Sequence, residues 1–348
     1  MDRIPIVVLV GPTASGKTDL LLRLFGHDPS SGRRQASLPE AELVSADSMQ
    51  AYRGMDIGTA KPGPAERALL PHHLIDLREP DEQYTVGDFV RLADEACARI
   101  FAAGHLPVVC GGTGFYVRNF IFGLPGGPAA DPAVREAVAR DLERGGEAAL
   151  RAELSAADPA SAARIHRSDL YRLSRAVELL RQTGKPPSGF LPATEPREGY
   201  DFLIVEATRS REELRERIDA RVDAMFEAGL AAEVAGLVAK GYGPGAPGMQ
   251  AIGYSEFLTA GAMTTEVPGG SGGLPEGRLR EVAEAIKLDT RRYAKRQETF
   301  FRGLAGRRIL PLQGGDGTAG GAVSLASMIA SFLEEARRRG TDVDRLQG

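Results

Sequence analysis

Apolar and polar positions follow two periods along this chain, and the change between them divides it. Ile4 to Val10 is an uninterrupted apolar run, as expected of a strand buried on both faces. After a glycine-containing turn, Asp19-Leu20-Leu21-Leu22-Arg23-Leu24-Phe25 continues at helical spacing. Leu43-Val44, His73-Leu74-Ile75-Asp76-Leu77 and Pro107-Val108-Val109-Cys110 read as three further strands. Between the last two, Thr85 and Asp88 make a capping-box start. Phe89, Leu92, Ala93, Ala96 and Ile100 extend it as a helix that Gly104 stops. This alternation predicts a parallel sheet with helices on its faces.

Near Asp131 the strand pattern ceases. From Pro132 to about Gly184 the periodicity is helical only, and Leu170, Leu173, Val177 and Leu180 make an apolar stripe. Phe202-Leu203-Ile204-Val205 resumes the sheet. Ser210 and Glu213 then cap a long helix with Leu214, Ile218, Val222, Met225 and Leu230 facing inward. A basic helix over Glu281 to Arg302, a strand at Arg308-Ile309-Leu310 and an amphipathic helix over Val323 to Arg339 complete the chain. The expected organisation is an α/β core over 1–130, a helical insertion over 131–197, and the rest of the core over 198–312. A Gly-rich linker and C-terminal helix occupy 313–348. His27 to Glu40, Gly261 to Gly277 and Gln313 to Gly321 read as surface excursions and linker.

Composition changes this picture little. A chain of 348 residues with 43% hydrophobic and 26% charged residues is that of an ordinary soluble protein. The apolar stretch Ile4 to Pro12 is too short to span a bilayer and lacks signal-peptide flanks. A cytoplasmic location without a membrane partner is expected. Cys97 and Cys110 have neither metal nor disulfide spacing, and the histidines are scattered. Net charge is −4, yet its distribution is uneven. Arg291, Arg292, Lys295, Arg296, Arg302, Arg307 and Arg308 cluster against Glu298 alone. Arg164, Arg167, Arg172, Arg175, Arg181 and Lys185 form a second basic group.

The chemistry begins at Gly11-Pro12-Thr13-Ala14-Ser15-Gly16-Lys17-Thr18, a complete G-x-x-x-x-G-K-[ST] phosphate loop between strand and helix. Backbone N–H groups there wrap a polyphosphate, Lys17 reaches its outer oxygens, and the Thr18 hydroxyl is placed to hold Mg²⁺. The loop names a phosphate, not a reaction. Nucleotide and small-molecule kinases, ATPases and GTPases share it, although the guanine-reading Asn-Lys-x-Asp is missing. Two other polar clusters, Ser45 to Tyr52 and Gly111-Gly112-Thr113-Gly114, end strands, where open α/β sheets bind ligands.

Beyond the loop, one series of motifs resembles a single family. Ser45-Ala46-Asp47-Ser48-Met49-Gln50-Ala51-Tyr52-Arg53-Gly54-Met55-Asp56-Ile57-Gly58-Thr59-Ala60-Lys61-Pro62 is similar to the signature of the tRNA dimethylallyltransferases. Gly111 to Tyr116, Arg172-Leu173-Ser174-Arg175-Ala176, Gln250-Ala251-Ile252-Gly253-Tyr254 and Lys295-Arg296-Gln297 continue it in order. The resemblance spans residues 5 to 312 and implies a P-loop NTPase-like core with an all-helical insertion. It also implies transfer of a dimethylallyl group from dimethylallyl diphosphate to N6 of the adenine 3′ of the anticodon. Mg²⁺ is the implied cofactor, the tRNA anticodon stem-loop the implied partner, and a monomer the implied form.

By the same resemblance Asp47 is the general base, Arg221 a cationic clamp on the diphosphate, and Thr18 the metal-holding hydroxyl. Asp47 also has a plainer reading, as a turn cap or a holder of Mg²⁺ through water. Arg217, four residues before Arg221, lies on the same side of its helix. RNA contacts are implied for Asp47, Ser48, Met49, Gln50 and Thr113, and for Arg135 in the insertion. They are also implied for Tyr171, Arg172, Leu173, Ser174 and Arg175, and for Gln250, Gly253 and Tyr254. Lys295, Arg296, Gln297 and Arg302 complete the set, with Tyr52 and Tyr254 expected near an extruded base. Ser255 stands where the family commonly has a basic residue, and three excursions look added. A P-loop kinase remains the competing reading.

Overall fold

The apolar run Ile4–Val10 is β1, the centre of a six-stranded parallel sheet. A computed structural model of the chain describes residues 3–27, 38–128, 130–190, 193–259, 275–312 and 317–346. The excursions expected within 28–37 and 261–274, and the linker at 313–316, lie outside the described residues. β1 pairs in parallel with β4 (Leu106–Gly111) on one side and β5 (Tyr200–Thr208) on the other. β2 (Ala41–Ser45) and β3 (His72–His73) continue outward from β4, and β6 (Arg308–Pro311) from β5. The order is therefore β3-β2-β4-β1-β5-β6. The carboxyl ends of β1, β2, β4 and β5 deliver the phosphate loop, Asp47, the glycine turn and Arg209 to one edge of the sheet.

α1 (Lys17–Phe25) leaves the phosphate loop and buries Leu20, Leu21 and Leu24 against Val7, Leu9, Leu43 and Leu106. α12 (Gly317–Arg338) covers the same face with Leu325, Ile329, Phe332 and Leu333, beside α1. It begins inside the stretch read as linker, because Thr318 is buried beside Gly16 and the following glycines do not break the helix. α2 (Pro64–Leu69) precedes β3. α3 (Val86–Ala102) starts with the expected capping box, the Thr85 hydroxyl accepting from Asp88 N at 3.1 Å.

The strand expected at His73–Leu77 is only two residues long. Leu74 and Asp76 adopt left-handed φ values of 65° and 56°, which end the ladder. The helix expected from Ser210 through Leu230 is also two helices. α8 (Arg211–Glu227) stops at Gly229, whose φ of 97° opens α9 (Leu230–Ala239). α10 (Ser255–Thr259) and α11 (Glu276–Arg302) follow. Among the described residues no helix is long and apolar enough to cross a membrane.

The chain divides into two compact units, Met1–Arg118 with Glu198–Gly348, and Asn119–Arg197. α4 (Gly114–Phe122) runs across the first boundary. The second unit contains α5 (Pro132–Ala157), α6 (Pro159–Arg164) and α7 (Leu170–Thr183). Its own small core gathers Val138, Leu150, Leu154, Leu173 and Val177. Arg181 ties α7 to α5 through Asp141 at 2.7 Å and Glu153 at 2.6 Å.

Because Ile329 is fully buried on the sheet, Ile329→Ala is expected to cost about 2–5 kcal/mol in denaturant unfolding. A loss below about 0.5 kcal/mol would show that α12 is not part of the core.

Candidate active site

Four of the phosphate loop's carbonyls are held from behind. Lys17 Nζ donates to Gly11 O and Pro12 O, both at 2.9 Å. Arg217 Nε donates to Ala14 O and Arg209 Nε to Ser15 O, each at 2.7 Å. Arg209 is buried and also paired with Glu213, which draws that carboxylate away from the reciprocal cap expected at Ser210. Ala14 at φ 62° and Gly16 at φ 94° turn the loop through left-handed conformations. Gly11 passes so near β5 that a Cβ would stand 2.4 Å from Ala207 O. With its carbonyls captured, the loop presents N–H groups. Among the described residues those of Ala14, Gly16, Lys17 and Thr18 have no hydrogen-bond partner, and neither has the Thr18 hydroxyl. This is an anion nest at a helix N-terminus.

One open cavity joins that nest to the ends of β2 and β4. Thr13, Lys17, Thr18, Asp47, Gln50 and Arg221 line it, and so do Tyr293 and Gln297 from α11. Arg221 Nη1 lies 3.5 Å from Thr13 Oγ1. Burial lowers the Arg221 pKa from its ordinary value and brings Lys17 down to about 8. Both cations feel the charge of Asp47 across the cavity. Asp47 Oδ1 accepts from Met49 N at 2.9 Å and Gln50 N at 3.3 Å, so the carboxylate does cap its turn. Its other oxygen has no hydrogen bond among the described residues. Thr113 Oγ1 accepts from Ser48 N at 3.1 Å, which fixes the glycine turn to the Asp47 turn. Burial, and then Asp47, push the Tyr293 phenol up to about 12.

The signature loop after Asp47 hangs on two charged side chains, half-buried Glu233 and buried Lys61. Glu233 of α9 accepts from three successive amides, Asp56 N at 3.0 Å, Ile57 N at 2.8 Å and Gly58 N at 3.2 Å. Tyr254 donates its hydroxyl to the same carboxylate at 2.6 Å. Lys61 Nζ reaches Tyr52 O and Asp56 at 2.6 Å, and Asp76 at 2.7 Å.

These contacts correct several sequence expectations. Tyr254 is 0% exposed and Tyr52 is buried, so neither ring is available to an extruded base. Leu173 belongs to the core of the second unit. Gln297 is 5% exposed and engaged with Thr13 and Gly112. Gly253 is buried, its N–H donating to Glu256 at 2.8 Å. By contrast Gln250, Lys295, Arg296 and Arg302 are exposed, as are Arg135, Arg172 and Tyr171 on the second unit. Ser174 and Arg175 are half-buried there, Arg175 bonded to Glu178 and to Pro128 O.

The sequence profile of the IPP transferase family matches residues 50–304. The chain belongs to the IPP transferase family. It is 42% identical over 301 residues to a tRNA dimethylallyltransferase of Geobacter sulfurreducens, covering 85% of this chain and 88% of that one. The crystal structure of a tRNA isopentenylpyrophosphate transferase from Bacillus halodurans matches with a TM-score of 0.64 at 34% identity, covering 97% and 99%. A eukaryotic dimethylallyltransferase acting on tRNA matches with a TM-score of 0.71 at 25% identity, covering 88% of this chain and 74% of that one. Against this IPP transferase background, Arg209, Glu233 and Tyr293 are the residues that sequence reasoning missed, while Lys61 stood in the signature without a role. Only Tyr293, one turn before Gln297, carried a local hint.

Tyr254→Phe is expected to lower unfolding stability by about 1–3 kcal/mol while leaving stem-loop RNA affinity within about twofold. A selective loss of RNA binding would return Tyr254 to the interface. A pH dependence follows from Lys17, whose folded pKa of about 8 lies below its ordinary 10.5. Protonation is lost in the folded protein first, so this group's stability contribution rises with pH between those values. Inorganic diphosphate affinity, referred to Lys17→Met, is expected to fall about tenfold from pH 7 to 9. Calorimetric titration checks it, and a flat ratio would contradict the assignment.

Proposed function

We propose that this chain transfers a dimethylallyl group from dimethylallyl diphosphate to N6 of the adenine 3′-adjacent to the anticodon. Its substrates are tRNAs reading codons that begin with U, and diphosphate is released. The observation that carries this reading is a single cavity holding both the anion nest and the Asp47 carboxylate. The phosphate-loop N–H groups, Lys17 and Arg221 receive the diphosphate and the negative charge that grows on it as the allylic C–O bond breaks. The target adenine leaves its stack to reach Asp47. Its exocyclic nitrogen attacks the allylic carbon, and its proton passes to the free oxygen of Asp47. A carboxylate that caps its own turn with one oxygen keeps the other at a fixed position.

The residues present fit Mg²⁺. The unpartnered Thr18 hydroxyl lines the cavity beside the nest and is a hard oxygen donor. Bound there, the ion would supply positive charge to the diphosphate oxygens. Gln250, Lys295, Arg296 and Arg302, with Arg135, Tyr171, Arg172 and Arg175 of the second unit, are assigned to the anticodon stem-loop. The protein is taken to act as a monomer in the cytoplasm, since this chemistry needs no second copy. Phosphoryl transfer from a nucleotide finds no support among the relatives.

Asp47→Asn is expected to reduce kcat by about 10²–10⁴-fold and to change stem-loop affinity by less than about threefold. The readout is prenylated adenosine, measured by mass after RNA digestion. Wild-type protein that makes no product on any anticodon loop would refute the transfer reading. Near-normal turnover by the variant would remove Asp47 as the base.

A further inference from the structure

α11 carries two kinds of side chain. Lys295, Arg296 and Arg302 are exposed, whereas Tyr293, Gln297 and Phe300, spaced four and three residues apart, face the glycine turn after β4. Gln297 stands at the centre. Its Oε1 accepts from Thr13 N at 2.9 Å, and its Nε2 donates to Gly112 O at 2.8 Å. One amide thereby links the phosphate loop to the turn that follows β4. Tyr293, one turn earlier, lines the same cavity as Gly112 and Gln297. The packing leaves no slack, since a Cβ on Gly112 would stand 2.3 Å from Gln297 Nε2. One on Gly114 would stand 2.4 Å from the Phe300 ring.

The chemistry of the two partners explains the residue type. A backbone N–H only donates and a carbonyl only accepts, so the bridging group must do both. Glutamate would keep the acceptor and lose the donor, and methionine would lose both at nearly the same size. We propose that Gln297 is a positioning residue, which sets the distance between the phosphate loop and the glycine turn and so aligns the allylic carbon with the attacking amine. This inference rests on the transfer reading above. The diphosphate is held on the Thr13 side of the bridge. The Asp47 turn lies on the other side, fixed to Thr113 through Ser48 N and Thr113 Oγ1. Ala46 accepts from Thr113 N at 3.2 Å as a second tie. Reacting atoms must approach to about 3–3.5 Å, and a shift near 1 Å costs on the order of 10²-fold in rate. The bridge therefore acts on turnover and not on the binding of either substrate alone.

Gln297→Met and Gln297→Glu test this together. For Gln297→Met, kcat is expected to fall about 10²-fold, with KM for dimethylallyl diphosphate and stem-loop Kd within about threefold of wild type. Amide hydrogen exchange over residues 11–16 and 111–114 is expected to quicken, and that of α3 to stay unchanged. Gln297→Glu keeps the Thr13 bond but sets a carboxylate oxygen against Gly112 O, so its kcat is expected to fall at least as far as that of Gln297→Met. If Gln297→Met does not fold, the glutamate variant is read by the same measures. A loss confined to RNA affinity would make Gln297 an RNA contact and overturn the proposal, as would unchanged kcat and unchanged exchange. An inactive wild type would refute the transfer reading separately, and the exchange measurement would still decide whether Gln297 holds the two loops.

Discussion

The phosphate loop works as an anion site only because its carbonyls are turned away and held there. An exposed carbonyl can flip inward and replace attraction with repulsion at the diphosphate. Here Lys17 fixes Gly11 and Pro12, Arg217 fixes Ala14, and Arg209 fixes Ser15. Arg209 and Arg217 come from the end of β5 and from α8, far along the chain from the loop they hold. The left-handed Ala14 is a backbone cost of about 1–2 kcal/mol, offset by the guanidinium bonds on either side. Preorganisation of this kind lets the same N–H groups meet the leaving group without rearranging.

The second wall of the cavity includes Thr59 and Ala60 of the signature loop, which charged side chains hold from behind. Glu233 gathers three consecutive amides of the signature loop and the Tyr254 hydroxyl, so its charge is spread over four donors. Lys61 collects a carbonyl and two carboxylates below it. Lys61 itself is the buried member of its set, so removing its carboxylate partners would leave an ammonium group out of water. The short cap from Asp47 Oδ1 to Met49 N and Gln50 N then aims the remaining oxygen into the cavity. Turn-capping and proton transfer are thus assigned to different atoms of one carboxylate.

Local patterns showed in the sequence wherever neighbours in the chain decide the outcome. The buried run of β1, the glycines of the phosphate loop and the Thr85–Asp88 cap are of this kind. Gly229 showed less clearly, because a glycine inside an apolar period breaks a helix only when its φ turns positive. The short β3 escaped notice because the left-handed Leu74 and Asp76 leave no mark in the apolar pattern, and Asp76 is held by Lys61 and Arg67. Tyr254 and Gln297 are polar residues in motifs, which suggests a surface role. Only the fold brings Glu233, Thr13 and Gly112 to them, and those partners lie 21 or more residues away in sequence.

The phosphate loop and Asp47 are assigned to the two ends of one reaction. A crystal structure of the protein with an unreactive thiolo analogue of dimethylallyl diphosphate and an anticodon stem-loop tests this most directly. Diphosphate oxygens are expected on the N–H groups of Ala14, Gly16, Lys17 and Thr18, beside Arg221, with the adenine amine at the open oxygen of Asp47. A diphosphate seated away from that loop, or an adenine whose amine lies out of reach of Asp47, would contradict it.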